Sequence, residues 1–478
     1  MSTQDIGTLH RVIKNFSSQA IAEIATKILG FIAVIYLARV FGPKDFGKIS
    51  FAYAIVTYFM LITDLGLQTL GTREIARVKT ELYNYTNNII TLRLLLGILS
   101  FVLLILSVFL FNKPLEIKLL IISYGLILIP SALFFEWIFR GIERMEFIGI
   151  AKVLDKACYL FLVIFWVKKV NQLLLVPYFW WAGNVVGSIF LLYIFTKNFK
   201  FPRLEFNPIF WVGLLKKSIP LGLAWLMIQI SFNFDSVMLG FMKGEREVGL
   251  YSAAYKIILF VFMLGGAYII AIFPVISRYY KESYERLCNL LSRSAKLMLT
   301  IGIPIAVGGT LIGKQIIHIF YGPEYQEGAV AFQILVWYIT ISFIAMVYSN
   351  SLIACDREKE YSIGVALMAG TNLILNAILI PRFSLVGAAV ATVVAEGVLF
   401  IYSYQRFNKI GKISFVNYIW RPTFSAILMG SFIFLSPIKS LFLIIPISIC
   451  IYLGGLFVCK GISLEEITFI KRALLDKG

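Results

Sequence analysis

The sequence predicts an all-α polytopic membrane protein, on the evidence of its composition, its apolar runs and its basic residues. Of the 478 residues, 59% are hydrophobic and only 15% are charged, and the mean hydropathy is +0.85. A soluble chain would carry about 25% charged residues. Apolar runs such as 94–111 and 119–135 recur from end to end. Each approaches the ~20 residues needed to cross ~30 Å of hydrocarbon, a length that soluble cores do not require.

The apolar runs place about fourteen transmembrane helices along the chain. The first ~15 residues are polar and lead into the first helix without a small-residue cleavage site, so we expect no removable signal peptide. The predicted helices lie near 15–40, 50–70, 88–111, 119–139, 148–167, 173–195, 215–240, 250–275, 294–313, 328–352, 361–380, 385–404, 419–436 and 440–459.

Lysine and arginine residues are unevenly distributed over the connections between these helices. Alternate connections, counted from the N-terminus, hold more than twice as many basic residues as the others. By the positive-inside rule, this bias predicts an even number of helices with both termini in the cytoplasm, and hence a multi-pass protein of the inner (cytoplasmic) membrane. It also accounts for much of the net charge of +18, so no nucleic-acid partner is expected.

A short segment of the chain occurs twice. Gly42-Pro-Lys-Asp-Phe-Gly-Lys-Ile-Ser-Phe-Ala-Tyr53 matches Gly244-Glu-Arg-Glu-Val-Gly-Leu-Tyr-Ser-Ala-Ala-Tyr255 at two glycines, a serine, an alanine and a tyrosine. The offset, the difference between Gly42 and Gly244, is 202 residues. We call 42–53 and 244–255 the two copies of the repeated motif. Each joins a first helix to a second, and a weaker echo relates 141–147 to 355–361.

This duplication predicts the domain organisation. Six helices per repeat is an even number, so the two repeats have the same orientation, as in transporters that bind substrate between two lobes. We assign an N-lobe to 1–205 with helices one to six, and a C-lobe to 206–405 with helices seven to twelve. Residues 406–478 would then form two extra C-terminal helices, thirteen and fourteen, and a cytoplasmic tail.

Three segments resemble a known family. Leu37-Ala-Arg-Val-Phe-Gly-Pro-Lys-Asp-Phe-Gly-Lys-Ile-Ser-Phe-Ala-Tyr53 and Asp64-Leu-Gly-Leu-Gln-Thr-Leu-Gly-Thr-Arg-Glu-Ile-Ala-Arg77 resemble the N-terminal signature of polysaccharide-biosynthesis flippases. These form the Wzx or RfbX-type branch of the multidrug/oligosaccharidyl-lipid/polysaccharide (MOP) exporter superfamily. Asn350-Ser-Leu-Ile-Ala-Cys-Asp-Arg-Glu-Lys-Glu-Tyr361 resembles their second-lobe signature. The chain is also similar to the lipid II flippases.

The resemblance implies two six-helix lobes in a V-shape around a central cavity. It implies a flippase, not an enzyme, that moves an undecaprenyl- or other polyprenyl-pyrophosphate-linked oligosaccharide to the outer leaflet for surface polysaccharide assembly. The partners would be this glycan lipid, the membrane lipids and polymerase or assembly proteins. In the lipid II flippases the last two helices form a groove for the lipid tail, as helices near 419–436 and 440–459 could do here.

Charged and polar residues within the predicted helices are candidates for substrate binding, because a charge at the bilayer centre costs ~2.5–3.5 kcal/mol and calls for a partner or a function. Gln19, Glu23 and Lys27 share one face of helix one, either lining a cavity or forming an internal Glu23–Lys27 pair. The resemblance matches Lys27 and Lys256 to cavity cations that would bind the pyrophosphate. Gln229 is the position equivalent to Lys27 at the repeat offset, so helix seven carries a polar residue on the corresponding face.

Arg93 lies early in helix three, where it could either bind substrate or extend to the inner headgroups. It completes the predicted substrate-binding set.

A second group of residues resembles the sodium site of the lipid II flippases. That site uses an acid on helix seven, an Asn-x-x-x-Asp pair on helix eleven, and a carbonyl and a threonine on helix twelve. The present chain departs from the pattern at Asn376, where the family has an acid, and interhelical hydrogen bonding is the alternative interpretation. Glu396 is a candidate proton site instead. The predicted set for Na⁺ or H⁺ is Asp235, Asn372, Asn376, Ala388 (carbonyl), Thr392 and Glu396.

Other functions fit the sequence less well. A multidrug exporter of the same superfamily would favour an acidic cavity, whereas Lys27 and Lys256 favour an anionic substrate. A glycan polymerase or ligase usually needs a long outer loop, and every predicted outer loop is short. The chain has five cysteines and two histidines without a cluster, so we expect no zinc or haem and no cofactor beyond a coupling ion.

Overall fold

The structure, a computed structural model, describes residues 3–411, 418–438 and 440–461. All regular elements among these residues are helical, which confirms the predicted all-α class. The α-helices are α1 (Thr3–Asp64), α2 (Leu67–Arg77), α3 (Leu82–Leu110), α4 (Leu115–Gly125), α5 (Leu128–Ala132), α6 (Glu136–Gly141), α7 (Met145–Trp166), α8 (Leu175–Asn198), α9 (Pro208–Met242), α10 (Glu245–Glu282), α11 (Tyr284–Tyr321), α12 (Ala329–Ala354), α13 (Glu358–Phe407), α14 (Trp420–Leu435) and α15 (Leu441–Val458).

Nine helical stretches in the described part are long and apolar enough to span a membrane. The stretches 21–77 and 358–407 each cover two predicted spans, and α9 passes the same test as a helix pair bent by 43°. The remaining predicted spans correspond to α7, which carries several charges, and to α14, which has only 16 residues. A helical segment therefore occupies each predicted span. The count of fourteen crossings, the V-shape of the lobes and the cytoplasmic termini stay predictions.

Helices extend through several connections that the sequence predicted as loops. The first predicted connection, 41–49, is reduced to a break inside α1 at Gly42, whose φ of 69° suits glycine. Pro43 has no backbone N–H and begins the next helical segment, where that donor would have no partner. The second helix was predicted to reach residue 70, but α1 ends at Asp64.

Packing divides the chain into two compact units, Met1–Ser252 and Ala253–Gly478. This division differs from the lobe boundary predicted at 205/206, because α9 packs against α1, α2 and α3. A Cβ atom at Gly222 of α9 would lie 2.8 Å from the carbonyl carbon of Leu65. The lobe assignment from the repeat stays a prediction, and residues 412–417 and 462–478 of the predicted C-terminal region lie outside the described residues.

Each unit has its own apolar core. In the first unit, Trp137 is fully buried among Leu70, Ile89 and neighbouring side chains of α2, α3 and α6. In the second, α11 packs against α12 and α14, and α12 packs against α13. Ile312 of α11 forms a cluster with Leu441 and Ile444 of α15, so the two C-terminal helices join the second unit.

We expect Gly71→Ala to destabilise the first unit by ~1–3 kcal/mol, the usual cost of overpacking. A Cβ atom at Gly71 would lie 2.4 Å from the rigid ring of Trp137. Gly30→Ala is the matched control, because no atom outside its own helix lies within 4 Å of the added methyl group. Thermal melting in detergent measures both variants. Equal melting temperatures for the two would contradict the tight contact.

Candidate functional site

Lys27, Glu23 and Gln19 lie on α1, where Lys27 and Glu23 form a loose ion pair. The Lys27 Nζ and Glu23 Oε1 atoms are 3.8 Å apart, and the side chains are 54% and 44% exposed. A pair so exposed does not seal the interior of the first unit. Because the contact is long, the ammonium hydrogens keep most of their capacity to bind another group. Gln19 is partly buried.

Gln229, the predicted substrate residue on α9, is already hydrogen-bonded. Asn233 Nδ2 donates to Gln229 Oε1 at 2.8 Å, and the Tyr58 hydroxyl lies 3.5 Å from the Gln229 carbonyl oxygen. Gln229 therefore belongs to the first unit with Lys27. Lys256, partly buried on α10, lies in the second unit. A shared site for these residues stays a prediction.

Arg93 is 2% exposed and binds protein groups on two sides. Its Nη1 donates to the Ala132 carbonyl at 3.1 Å and its Nη2 to the Ser131 carbonyl at 2.9 Å. Its Nε lies 3.4 Å from Asp64 Oδ1. In this conformation the guanidinium holds α5 and the end of α1 against α3. Headgroup contact and substrate contact by Arg93 stay predictions.

Asp64 explains why α1 ends where it does. Its Oδ2 accepts from the Gly66 amide at 3.2 Å and its Oδ1 from the Gln68 amide at 3.3 Å, which satisfies donors in the first turn of α2. Leu65 and Gly66 have positive φ angles of 43° and 80°. The sequence-based prediction of an uninterrupted helix missed this break, although Asp-Leu-Gly contains both a capping residue and a glycine.

Four of the predicted cation ligands are buried in the second unit as two hydrogen-bonded pairs. On α13, Asn376 Nδ2 donates to Asn372 Oδ1 at 3.0 Å. Further along α13, Thr392 Oγ1 donates to the Ala388 carbonyl at 3.0 Å. A carbonyl oxygen has two lone pairs, so these contacts leave acceptor capacity for a hard cation. The same two hydrogen bonds also agree with the alternative interpretation, in which the polar groups only bond to one another.

The two carboxylates of the predicted cation set have different surroundings. Asp235 is fully buried in the first unit, where its Oδ2 accepts from the Tyr251 hydroxyl at 2.5 Å. Glu396 is 6% exposed in the second unit, where its Oε1 accepts from the Ser342 hydroxyl at 2.7 Å and its carboxyl also bonds to Tyr338. Assembly of the complete set into one site stays a prediction.

Several partners were missed because they lie on other helices. Ser342 and Tyr338 belong to α12, and no spacing in the sequence relates them to Glu396. Tyr251 could have been found, because it lies within the second copy of the repeated motif. The largest omission is Lys113, which binds Glu245 across 132 residues of sequence.

Comparison with known proteins identifies the fold and the family. A model of the family described as "Polysaccharide biosynthesis protein" matches residues 12–280, more than half of the chain. The chain belongs to this polysaccharide biosynthesis family. A MatE family model matches residues 220–396.

Relatives carry names consistent with this family. A putative O-antigen transporter of Shigella dysenteriae is 25% identical over 352 residues, which cover 73% of this chain and 88% of that protein. The probable flippase AglR of Haloferax volcanii is 30% identical over 193 residues, which cover 39% of this chain and 37% of that protein. The predicted membership of the Wzx-type branch is thereby confirmed. At this level the chain is a multi-pass membrane transport protein.

Solved structures confirm the fold class. The lipid II flippase MurJ in an inward closed conformation matches with a TM-score of 0.74 and 18% identity, covering 92% of this chain and 97% of MurJ. An inward-facing multidrug resistance MATE family transporter of the MOP superfamily matches with a TM-score of 0.64 and 17% identity, covering 82% of this chain and 99% of that protein.

Proposed function

We propose that this protein is a flippase that moves a polyprenyl-pyrophosphate-linked oligosaccharide from the cytoplasmic to the outer leaflet of the inner membrane. The observation that carries the proposal is the family match over residues 12–280. The putative O-antigen transporter covers most of the chain and supports a glycan-lipid substrate used in surface polysaccharide assembly. Polymerase or assembly proteins that use the product would be its partners.

Lys27 and Lys256 are the residues that we propose bind the pyrophosphate. An ammonium group replaces part of the water lost by an anion when it enters the membrane. The half-exposed ammonium of Lys27, in a loose pair with Glu23, is suited to exchanging one acidic partner for another. Gln19 and Gln229 would offer hydrogen bonds to the glycan, and Arg93 is a further candidate for the pyrophosphate.

Alternating access requires no covalent chemistry. Two negative charges on the headgroup that move outward gain about 4–5 kcal/mol per 100 mV of membrane potential, at ~2.3 kcal/mol per charge. The potential could therefore set the direction of transport. We propose that Na⁺ or H⁺ binding at the set Asp235, Asn372, Asn376, Ala388, Thr392 and Glu396 helps the empty carrier to return.

The alternative function is export of drugs or other toxic compounds. The MatE match over residues 220–396 and the fold of the MATE transporter favour it. A cationic drug would be repelled by Lys27 and Lys256, whereas a pyrophosphate would be attracted. Substrate charge therefore distinguishes the two functions.

The test is transfer of a fluorescent polyprenyl-pyrophosphate glycan across proteoliposome membranes. We expect Lys27→Ala and Lys256→Ala each to slow transfer by about tenfold to a hundredfold, since a hydrogen bond to a charged group contributes ~1.5–3 kcal/mol. Lys197→Ala, at an exposed position of α8, is the matched control and should transfer normally.

Two results would count against the proposal. Normal transfer by both folded lysine variants would remove these residues from the mechanism. Absence of transfer by the wild type with any glycan lipid, beside an active control flippase and with efflux of a cationic dye, would support the drug exporter instead.

A further inference from the structure

The two copies of the repeated motif have the same local structure. Each begins with a glycine at positive φ, Gly42 at 69° and Gly244 at 94°. Each glycine follows one helical segment, and the next segment begins directly after it, at Pro43 and at Glu245. A second glycine follows five residues after the first, Gly47 in one copy and Gly249 in the other. Gly47 and Gly249 are both buried.

These second glycines contact each other's copy in a reciprocal way. A Cβ atom at Gly47 would lie 1.7 Å from the Glu245 carbonyl oxygen. A Cβ atom at Gly249 would lie 1.8 Å from the Pro43 carbonyl oxygen. Pro43 and Glu245 are equivalent positions at the repeat offset, as are the two glycines. The contact is therefore twofold, as in an isologous dimer interface in which residue i meets j and j meets i.

We infer that the repeated motif is a self-complementary docking element: its second copy is the binding partner of its first, and the pair forms a gate that closes one end of the two repeats. The backbones meet without intervening side chains, which requires glycine at both positions. This pairing explains why both second glycines are present in the two copies. By the positive-inside rule the gate lies on the outer side of the membrane.

A cluster of ion pairs locks this contact. Lys113 Nζ lies 2.7 Å from Glu245 Oε1 and also donates to the Gly240 carbonyl, and the Lys113 and Glu245 side chains are 10% and 16% exposed. Lys48 lies 2.7 Å from both Asp45 and Glu116, so this second ion-pair group belongs wholly to the first repeat, whereas the Lys113–Glu245 pair joins the first repeat to the second copy. If the copies separated, these charges would be hydrated again, which would offset part of the cost of breaking the ion pairs. An apolar contact would have no such compensation.

The lock does not follow the repeat. Lys48 corresponds at the repeat offset to Leu250, which is fully buried, so the second copy has no equivalent ammonium group. Lys113 comes from the connection between α3 and α4. The glycine contact is thus symmetric, while both ammonium groups that hold it, Lys48 and Lys113, come from the first repeat. Opening of the gate during transport rests on the proposed function; the contact itself does not.

The experiment measures the distance between the copies in the full-length protein. Spin labels on Lys44→Cys and Arg246→Cys, equivalent and exposed positions of the two copies, report it in a background without the five native cysteines. Without substrate, we expect one short distance by double electron–electron resonance. Gly47→Ala and Gly249→Ala should each reduce the population of this distance by about tenfold in favour of longer ones.

Gly266→Ala is the matched control, on the same helix as Gly249 but with no atom outside that helix within 4 Å of the added methyl group. It should leave the distribution unchanged. Lys113→Met removes the ion pair with Glu245 without adding bulk at the glycines, and it should also increase the longer distances. Because it leaves the backbone contact free of new atoms, it serves as the second test if the glycine variants do not fold.

An unchanged distance distribution in Gly249→Ala, or in Lys113→Met if the glycine variants do not fold, would overturn the gate. The outcome is independent of the substrate. Longer distances in the variants, together with a wild type that transfers no glycan lipid, would support the gate and contradict the proposed function. Unchanged distances in the variants, together with normal glycan-lipid transfer by the wild type, would contradict the gate and support the proposed function.

Discussion

Replacing Arg93 with alanine is expected to lower the free energy of unfolding by about 3–5 kcal/mol, because two hydrogen bonds from a buried charged donor, each contributing ~1.5–3 kcal/mol, would be lost. The substitution would leave the Asp64 carboxylate without its cation. It would also remove the donors that bind the Ser131 and Ala132 carbonyl groups. Because Asp64 caps α2, the loss should extend to the break between α1 and α2.

Two further variants make the result specific. Arg77→Ala removes an arginine that is 64% exposed and 4.0 Å from Glu74, and it should change stability by less than about 1 kcal/mol. Arg93→Lys keeps the charge but lacks the planar fork of donors, so we expect an intermediate loss. Thermal melting in detergent, followed by retention of the folded peak in size-exclusion chromatography, measures all three.

Melting combined with the transfer assay distinguishes a structural role of Arg93 from substrate binding. Strong destabilisation would establish it as the residue that holds α1, α3 and α5 together. If Arg93→Ala melts like Arg77→Ala yet loses glycan-lipid transfer, the guanidinium acts on the substrate, as the sequence suggested.

Replacing Asn376 with aspartate is expected to raise the affinity for Na⁺ by about tenfold or more, because affinity for hard cations depends on the number of charged ligands. Asn376 is the one position at which the chain departs from the resembled sodium site. Its amide is fully buried and donates to Asn372. A carboxylate there would have to be protonated or bind a cation, since an unpaired buried charge is costly.

Sodium binding is measured by the rise in melting temperature with NaCl relative to choline chloride. Asn350→Asp is the control, because it adds an equal charge to a partly buried position on α12. The prediction fails if Asn376→Asp responds to sodium no more than Asn350→Asp. Asn372 and Asn376 would then serve only as hydrogen-bonding partners within the protein. Glu396 would remain as the candidate proton site.

Hydropathy located the helices better than it located their ends. The connection predicted between 275 and 294 is charged, yet α10 continues to Glu282 and α11 begins at Tyr284. Only Ser283 interrupts them, and its side chain accepts from the Arg286 amide at the start of α11. Hydropathy indicates which residues lie in hydrocarbon. A helix is held by backbone hydrogen bonds, which also form in water, so it can extend beyond the apolar residues.

The candidate site was accessible from the sequence only in part. Lys27 and Glu23 were predicted to lie on one face because their spacing fixes that relation within a helix, and the structure shows the pair. Lys113 gave no such signal, since its partners Gly240 and Glu245 are distant in sequence. The repeated motif was visible, but the contact between its copies was not, because a repeat specifies similar structures and not how they pack.

Composition, apolar runs and short motifs were sufficient to identify this chain as an all-α membrane protein, to locate its helices and to indicate its family. These properties depend on local quantities: apolar length, periodicity and short motifs. Helix packing was needed to show that Arg93 is enclosed by carbonyl groups, that Glu396 bonds to Ser342, and that Gly47 contacts the second copy of its own motif. Such contacts depend on which helix faces cross, and that is set by close packing over the whole unit.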